Sequence, residues 1–316
     1  MKIKELDKLV IQTLQDNYID LTVGDNSDTI HRAVPVNDKL QFTNSLLAEH
    51  GFSAVVIATE DENMHALLFD FGFSEHGAAQ NAETLNLDMG GIEGMALSHG
   101  HMDHTGGLLK MSQKIGKKGI PLVLHPQAFR AHRYAKTEQG FKIEFPALTR
   151  EKTDQAEVQV VETEKPYAML SESLLFLGEI PRLTPFEKVA SRFKYLEDDI
   201  EKHDEIEDDT AIVGHIKGKG LVVLTGCAHS GVVNTVKHAQ EVTGVERVHA
   251  IMGGFHLTGE DEDTVVGPTL EALMEIDPDI IVPTHCTGRD AIAMIENMMP
   301  EAFILNMVGT TLTFSA

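Results

Sequence analysis

Residues 98–107, with the sequence SHGHMDHTGG, constrain this chain more than any other stretch. Between a short apolar strand and a predicted helix they place His99, His101, Asp103 and His104 within six positions. At this composition the HxHxDH pattern should arise by chance in roughly three of a thousand such chains. A strand end with a tight loop brings alternate side chains together, and imidazole with carboxylate suits zinc, iron or manganese. Helix capping explains one aspartate but not three histidines, so the run predicts a metal site.

Further ligands are expected on later strands, because one short loop cannot enclose a metal ion. Apolar runs lead into His229, His256 and His285, and each histidine is followed within three residues by serine or glycine. In α/β sheets, ligand sites form beyond the carboxyl ends of the strands, so the three histidines suggest one pocket. The alternative for each is a buried histidine that is hydrogen-bonded in the core. That alternative is weaker for His229 and His285, and it stays open for His256.

Two other residues are expected beside the ligands. Asp70 follows a strand and precedes Gly72, where it can orient a ligand histidine; the alternative is a plain turn aspartate. Cys227 lies two residues before His229, either as a ligand or as packing. Buried packing is the favoured interpretation of this cysteine.

The charge balance disfavours several classes of partner. The chain of 316 residues has 26 Lys and Arg against 49 Asp and Glu, a net charge of −23. Nucleic acids and anionic membranes need a basic face, so a small-molecule substrate is the expected partner. Two cysteines cannot make a disulfide scaffold, which favours a reduced, cytoplasmic location. We expect neither a signal peptide nor a membrane span, and the oligomeric state is open.

The apolar pattern predicts alternating strands and helices in a single domain, residues 1–316, with an insertion at about 131–209. The insertion is polar and less periodic, and a helical piece is expected in it at about 186–196. Regular structure resumes with a hairpin at 210–216 and 220–224, and it ends with strands at 303–308 and 310–314. This order of elements predicts a layered α/β protein.

The motif SHGHMDHTGG, with Asp70 on the preceding hairpin and His285 on a late strand, resembles the metallo-β-lactamase superfamily over about residues 8–314. The resemblance implies an α/β fold, classed as α+β in some schemes. That fold is a four-layer αββα sandwich of two mixed sheets with a one- or two-metal site between them. The segments FDFGFS, GEIPR, TGCAHSG and PTHCTG are similar to a subgroup labelled 7,8-dihydropterin-6-methyl-4-(β-D-ribofuranosyl)aminobenzene-5′-phosphate synthase.

The resemblance also assigns ligands by position. It implies that His99 and His101 bind a first metal ion and that Asp103 and His104 bind a second. His285 takes the place of the late-strand ligand. The implied cofactor is a pair of divalent ions, with zinc favoured and iron or manganese also suited to this ligand set.

The chain departs from the superfamily pattern at two places. Asp208 and Asp209 stand where most members have a third histidine. Cys227 stands where most have a bridging aspartate, and His229 follows two residues later. We therefore expect His229 to supply the missing metal ligation.

The implied chemistry is that of a metal-dependent hydrolase or a related transferase. Two ions about 3.5–4 Å apart hold a shared water and lower its pKa, so that a metal-bound hydroxide attacks carbon or phosphorus. The expected substrate is a small anionic phosphate ester, phosphodiester or lactone-like molecule. Asp103 and His256 are the expected catalytic residues, with His256 as substrate contact or proton donor to the leaving group. Arg182, in GEIPR, is expected to hold an anion, the alternative being a solvated surface arginine.

A different function class can use the same ligands: a non-haem iron oxidoreductase or dioxygenase. A diiron reductase normally carries a flavin module, and no residues are left over for one. A mononuclear iron dioxygenase remains open. A nuclease is disfavoured by the acidic charge and by the lack of a basic stripe.

Overall fold

The computed structural model describes residues 1–37, 39–42, 44–259 and 262–316. Its strands, in chain order, are β1 Glu5–Leu6, β2 Lys8–Gln15, β3 Ile30–His31, β4 Ser53–Glu60, β5 Asn63–Phe69, β6 Gly94–Ala96, β7 Pro121–Leu124, β8 Arg133–Lys136, β9 Lys142–Glu144, β10 Gln159–Glu162, β11 Tyr167–Met169, β12 Leu174–Phe176, β13 Phe193–Glu197, β14 Ile200–His203, β15 Ala211–Ile216, β16 Gly220–Thr225, β17 Val248–Gly254, β18 Ile280–Thr284 and β19 Thr311–Ser315. Its helices are α1 Gly77–Thr84, α2 Met102–Thr105, α3 Leu108–Ile115, α4 Arg150–Gln155, α5 Val232–Thr243, α6 Glu262–Ile276 and α7 Arg289–Met298. Across these described ranges, every helix is too short or too polar to cross a membrane.

Most strands form two mixed sheets. The first sheet has the order β11–β12–β15–β16–β17–β18, with β1 also paired to β15. The second has the order β10–β7–β6–β5–β4–β2–β19–β3. Parallel pairs occur in both, between β16, β17 and β18 and between β5, β6 and β7, while β15–β16 and β4–β5 are antiparallel hairpins. A third, smaller sheet has the order β14–β13–β8–β9.

Alternation of side chains along the strands separates the layers. Leu67 and Phe69 of β5 share the core between the two sheets with Val222 and Leu224 of β16. Leu68, between them in sequence, belongs instead to the core under α1 and α3. Because neighbours in a strand point to opposite faces, both sides of each sheet are buried. Each fully buried side chain of this size contributes roughly 1.5–3 kcal/mol to folding.

Helices cover the outer face of both sheets. α1 and α3 pack on the second sheet. α5, α6 and α7 pack on the first sheet through residues that include Val233, Leu270 and Ile295. The order of layers is therefore helix, sheet, sheet, helix, and the predicted αββα sandwich is confirmed.

The helix predicted at about 186–196 is wrong. Residues 186–192 form no regular element, and Phe193 begins strand β13, which pairs with both β8 and β14. Val189 and Phe193 have helical spacing, but they pack in a small core with Ile206. Pairing on both edges of β13 outweighs this local pattern.

The strand predicted at 303–308 is also wrong, since the described backbone there makes only one bridge, between Phe303 and Ile281. After Phe303, hydrogen bonds of a side chain hold the segment in place. Asn306 Nδ2 donates to Asp16 Oδ2 at 2.6 Å, and Thr13 Oγ1 donates to Asn306 Oδ1 at 3.1 Å. These bonds tie the segment to the end of β2 without a backbone ladder.

Residues 131–209, the predicted insertion, contribute to all three sheets. β8, β9, β13 and β14 form the third sheet. β10 joins the second sheet beside β7, and β11 and β12 join the edge of the first. The segment thus shares the main core, and its boundary as an insertion stays a prediction.

Close packing at Gly106 predicts a mutational effect. A Cβ at Gly106 would lie 1.6 Å from the Phe73 carbonyl oxygen, whereas one at the exposed Gly24 would meet nothing within 4 Å. We expect Gly106→Ala to lower the free energy of unfolding by about 1–3 kcal/mol, because backbone must shift. Gly24→Ala should leave it unchanged or raise it by up to about 1 kcal/mol. Urea denaturation measures both, and a Gly106 variant as stable as wild type would contradict the expectation.

Candidate metal centre

A buried hydrogen-bond network joins the ends of β5 and β6. The Asp70 carboxylate accepts bonds from the Ser98 backbone nitrogen at 2.7 Å and from Ser98 Oγ at 2.7 Å. Asp70 Oδ2 also lies 2.6 Å from His104 Nδ1. An N–H at Nδ1 would then donate to Asp70 and leave His104 Nε2 free to bind a metal. This is the geometry that the predicted orienting role of Asp70 requires.

The HxHxDH loop runs directly into a helix. His101 is the N-cap of α2, which places Asp103 and His104 in its short helical turn. His99 Nε2 lies 3.0 Å from His101 Nδ1. Each of the four residues is buried, with at most 7% of its surface exposed. The four ligands predicted in this loop therefore share one buried place.

Side chains that follow β16 and β18 reach this place from the first sheet. Cys227 Sγ lies 3.1 Å from His104 Nε2. His285 Nε2 lies 3.1 Å from Asp103 Oδ2. The structure therefore brings the late-strand histidine onto the aspartate of the loop.

His229 approaches the same loop from beyond β16. Its ring centroid is 4.9 Å from that of His99 and 5.0 Å from that of His101. His256, which follows β17, also contacts His229, with 4.3 Å between the two ring centroids. All predicted metal ligands thus meet in what we call the ligand cluster: His99, His101, Asp103, His104, Cys227, His229 and His285.

Ligand atoms of the ligand cluster, except those of His101, lie close enough to share cations. Among the described residues, atoms within 4.8 Å of one another occur in three groups: Asp103, His104, Cys227 and His285; His99, Cys227 and His229; and Cys227, His256 and Cys286. Cys227 is common to all three groups. Its thiol therefore lies at the centre of the possible donors, although packing was the favoured interpretation of this residue from the sequence.

Unpartnered buried nitrogens support a bound cation. His101 Nε2 and His229 Nε2 are buried, and no hydrogen-bond partner for either exists in the described part of the chain. A buried polar atom left in this state costs about 1–3 kcal/mol. A divalent ion would remove that cost, and a donor set of imidazole, carboxylate and thiolate suits zinc.

Burial keeps most of the histidines neutral, as metal ligation requires. It lowers the pKa of His99 and His229 well below the usual value, and it lowers the pKa of His101 to about 3. His104 differs. Burial alone would lower its pKa, but the carboxylates of Asp70 and Asp103 outweigh burial and raise the pKa to about 9.

Asp208 and Asp209, which stand where the resemblance led us to look for a third histidine, each hold a ligand loop. Asp208 Oδ2 accepts a bond from the Gly100 backbone nitrogen at 2.7 Å, between two ligand histidines. The Arg133 guanidinium pairs with Asp208 and holds the pKa of this buried carboxyl well below its usual range. Asp209 Oδ2 accepts a bond from Ser230 N at 2.8 Å, next to His229, and burial raises the pKa of Asp209 to about 6.

His285 is held by the end of β2. Asp16 Oδ1 accepts a bond from the His285 backbone nitrogen at 2.9 Å. Asn17 Nδ2 donates to the His285 carbonyl oxygen at 2.9 Å, and Asn17 Oδ1 lies 3.2 Å from His285 Nδ1. The sequence pattern did not single out Asp16 and Asn17, which follow directly after β2.

The ligand cluster borders a cavity of about 360 Å³, here called the central cavity. A volume of this size suits a small molecule. Its lining residues are Asn17, His50, His101, Met102, Asp103, Phe145, Arg192, Phe193, Cys227, His229, His256, Thr258, His285, Cys286 and Gly288.

His256 lies on this wall, but Arg182 is not among the lining residues. Both ring nitrogens of His256 are buried, and neither has a hydrogen-bond partner within the described ranges. The Arg182 guanidinium donates to the backbone carbonyls of Glu205 and Ile206. These bonds hold it on another part of the chain, and its role as an anion clamp stays a prediction.

Removing two donors from the ligand cluster should abolish metal binding. We expect the double variant His101→Ala, Asp103→Ala to retain no ion after dialysis, measured by elemental analysis, because it disturbs the donors of both ions. The control is His76→Ala, whose side chain is 70% exposed. Two ions retained per chain in the double variant would contradict the ligand assignment.

The raised pKa of His104 predicts proton release on metal binding. At pH 7 the metal-free ring is protonated, since its pKa is about 9, and ligation through Nε2 must displace that proton. The apparent zinc affinity should therefore rise as the pH increases from 7 to 9. Asp70→Asn should lower zinc affinity by about 10–100-fold. Calorimetry in two buffers of different protonation enthalpy counts the protons, and a count of zero would contradict this expectation.

Comparisons with known proteins identify the family of this chain. The family model of the metallo-β-lactamase superfamily matches residues 50–285. A Methanocaldococcus jannaschii protein named 7,8-dihydropterin-6-methyl-4-(beta-D-ribofuranosyl)-aminobenzene-5′-phosphate synthase is 30% identical over 311 residues, which cover 96% of this chain and 94% of that protein. The uncharacterized protein MJ0448 of the same organism is 28% identical over 262 residues, covering 83% and 92%.

Solved structures show the same fold. Tm1679, described as a metal-dependent hydrolase of the beta-lactamase superfamily, has a TM-score of 0.73 at 22% identity, covering 98% of this chain and 100% of that one. Unliganded yeast PDE1 has a TM-score of 0.53 at 10% identity, covering 99% and 100%. At these identities the likeness concerns the fold alone. From the family model and the M. jannaschii relative, the chain belongs to the metallo-β-lactamase superfamily.

Proposed function

We propose that this protein is a metal-dependent hydrolase, or a related transferase, of a small anionic phosphate ester, phosphodiester or lactone-like molecule. The observation that carries the proposal is the ligand cluster on the wall of the central cavity. His101 and His229 supply cavity-lining rings whose Nε2 atoms have no hydrogen-bond partner in the described chain. Such a donor set beside a cavity of small-molecule size is suited to catalysis rather than to a structural metal.

The proposed cofactor is a pair of divalent ions, zinc first and iron or manganese next. The residues that would hold them are Asp103, His104 and His285 for one ion and His99 and His229 for the other, with Cys227 within reach of both. His101, whose Nδ1 lies 3.0 Å from His99 Nε2, is the proposed third histidine of the second ion. When bound, such ions act as Lewis acids and lower the pKa of water toward neutrality.

The chain holds these donors in place before a substrate arrives. Asp70 fixes the His104 ring, Asp208 fixes the loop at Gly100, and Asp16 fixes the His285 backbone. Each contact is buried, so little reorganisation is needed during the reaction. Preorganised polar groups of this kind are the usual source of transition-state stabilisation.

His256 is the proposed proton donor to the leaving group, or else a substrate contact. It lines the central cavity, and both of its ring nitrogens lack a hydrogen-bond partner among the described residues. Its ring centroid lies 4.3 Å from that of His229, which belongs to the ligand cluster. A donor in this position would be within reach of a group that departs from the cluster.

The charge of the chain sets a condition on substrate binding, and the names of its relatives bear on the type of reaction. A net charge of −23 repels an anion at long range, so binding would depend on the local charge of the metal ions. Tm1679 is described as a hydrolase and the M. jannaschii relative is named a synthase, so hydrolysis and group transfer both stay within the proposal. A small-molecule partner and a cytoplasmic location are part of the same proposal.

The test is a substrate screen with the zinc-loaded protein. We expect hydrolysis of at least one of 4-nitrophenyl phosphate, bis(4-nitrophenyl) phosphate and an acyl homoserine lactone, and loss of that activity with a chelator. On a substrate whose leaving group departs only with a proton, His256→Gln should lower kcat by about 10²–10⁴-fold without changing the metal content. On the 4-nitrophenyl substrates the loss should be much smaller, because 4-nitrophenolate leaves as the anion.

The outcomes separate the candidate functions. His76→Gln is the matched surface control and should keep full activity. Iron as the metal in the protein as purified, with oxygen uptake and no hydrolysis, would instead support the non-haem iron dioxygenase. Hydrolysis that survives metal removal would contradict both.

A further inference from the structure

Arg192 differs from the other arginines near the site. It is the one Lys or Arg among the described residues that line the central cavity. Arg130 and Arg133 near the site, and Arg247 farther away, each form an ion pair with a carboxylate, but no described carboxylate pairs with Arg192. A cavity-lining cation without an acidic partner among the described residues remains available to an anionic ligand.

The guanidinium of Arg192 lies against Phe193, which also contacts the ligand cluster. Its Cζ atom is 5.0 Å from the Phe193 ring centroid. The same ring lies 5.6 Å from His229 and 5.9 Å from His101. Gly259 makes room for the guanidinium, because a Cβ there would lie 2.5 Å from Arg192 Nη1. Phe193 thus contacts both a positive charge and the histidines of the ligand cluster.

A second aromatic ring completes this side of the cavity. Phe145 lies 6.3 Å from Phe193 and 5.1 Å from His101 between ring centroids. Both phenylalanines line the central cavity. Phenylalanine rings on a cavity wall attract an aromatic ring of a ligand through offset or edge-on contacts.

We propose that the substrate is an aromatic molecule with two polar ends, and this inference rests on the proposed function. The reacting end lies at the ligand cluster and the ring lies against Phe145 and Phe193. A second anionic group, a carboxylate or a phosphate, pairs with Arg192. The planar guanidinium offers two parallel N–H donors to such a group, which favours arginine over lysine here.

The experiment compares two ligands by calorimetry on the zinc-loaded protein: phenylphosphonate and 4-carboxyphenylphosphonate, which carries a second anion across the ring. In the wild type the carboxylate should tighten binding by about tenfold. In Arg192→Gln this preference should fall to about onefold, and Arg192→Lys should keep part of it. Phe145→Leu should weaken both ligands by about threefold to tenfold and leave their ratio unchanged.

Two controls make the result specific. Arg247→Gln also removes one positive charge, but just before the amino end of β17, where Arg247 pairs with Asp279, and it should keep the tenfold preference. A preference retained in Arg192→Gln, or lost in Arg182→Gln instead, would overturn the assignment. Equal affinity of phenylphosphonate for zinc-loaded and metal-free protein would contradict the proposed function, while the ratio of the two ligands would still report on Arg192.

Discussion

The site depends on which polar atoms find hydrogen-bond partners in the buried region between the two main sheets. Carboxylates and imidazoles are buried there at contact distance, and burial in low dielectric disfavours every charge that lacks a partner. Asp70 meets this constraint with three hydrogen bonds from Ser98 and His104. His101 and His229 do not meet it, since their Nε2 atoms have no partner in the described chain. The same packing that makes the core stable therefore leaves a place that favours a cation.

A shared principle explains the placement of the ligand loops. Each loop that carries ligands is held through a backbone nitrogen by an aspartate from a distant part of the chain. The pairs are Asp70 with Ser98, Asp208 with Gly100, Asp209 with Ser230 and Asp16 with His285. These aspartates account for some of the acidic excess of the chain. They do not contribute to surface repulsion, because they lie inside and have fixed donors.

Local patterns predicted a layered α/β protein and the histidines that the structure brings together, because both depend on short stretches. The αββα sandwich was implied only by the family resemblance of the SHGHMDHTGG motif. The HxHxDH spacing and the apolar strands that end in His229 and His285 could be identified without any contact map. The contacts of Asp208 and Arg192 could not, since each joins segments that are far apart in the chain. The helix predicted at about 186–196 was wrong for the same reason: β13 exists through its pairing with β8 and β14.

The third sheet has a consequence for how this protein could change. Phe193 begins one of its strands, Arg192 precedes it, and Phe145 follows β9 of the same sheet. The ligand cluster, in contrast, lies at the strand ends of the two main sheets. On the proposed function, the third sheet would contribute contacts that select the substrate, and the two main sheets would carry the reacting groups. Remodelling the small sheet would then redirect the protein to another molecule while the ligand cluster stays intact, which makes this sheet the natural starting point for engineering.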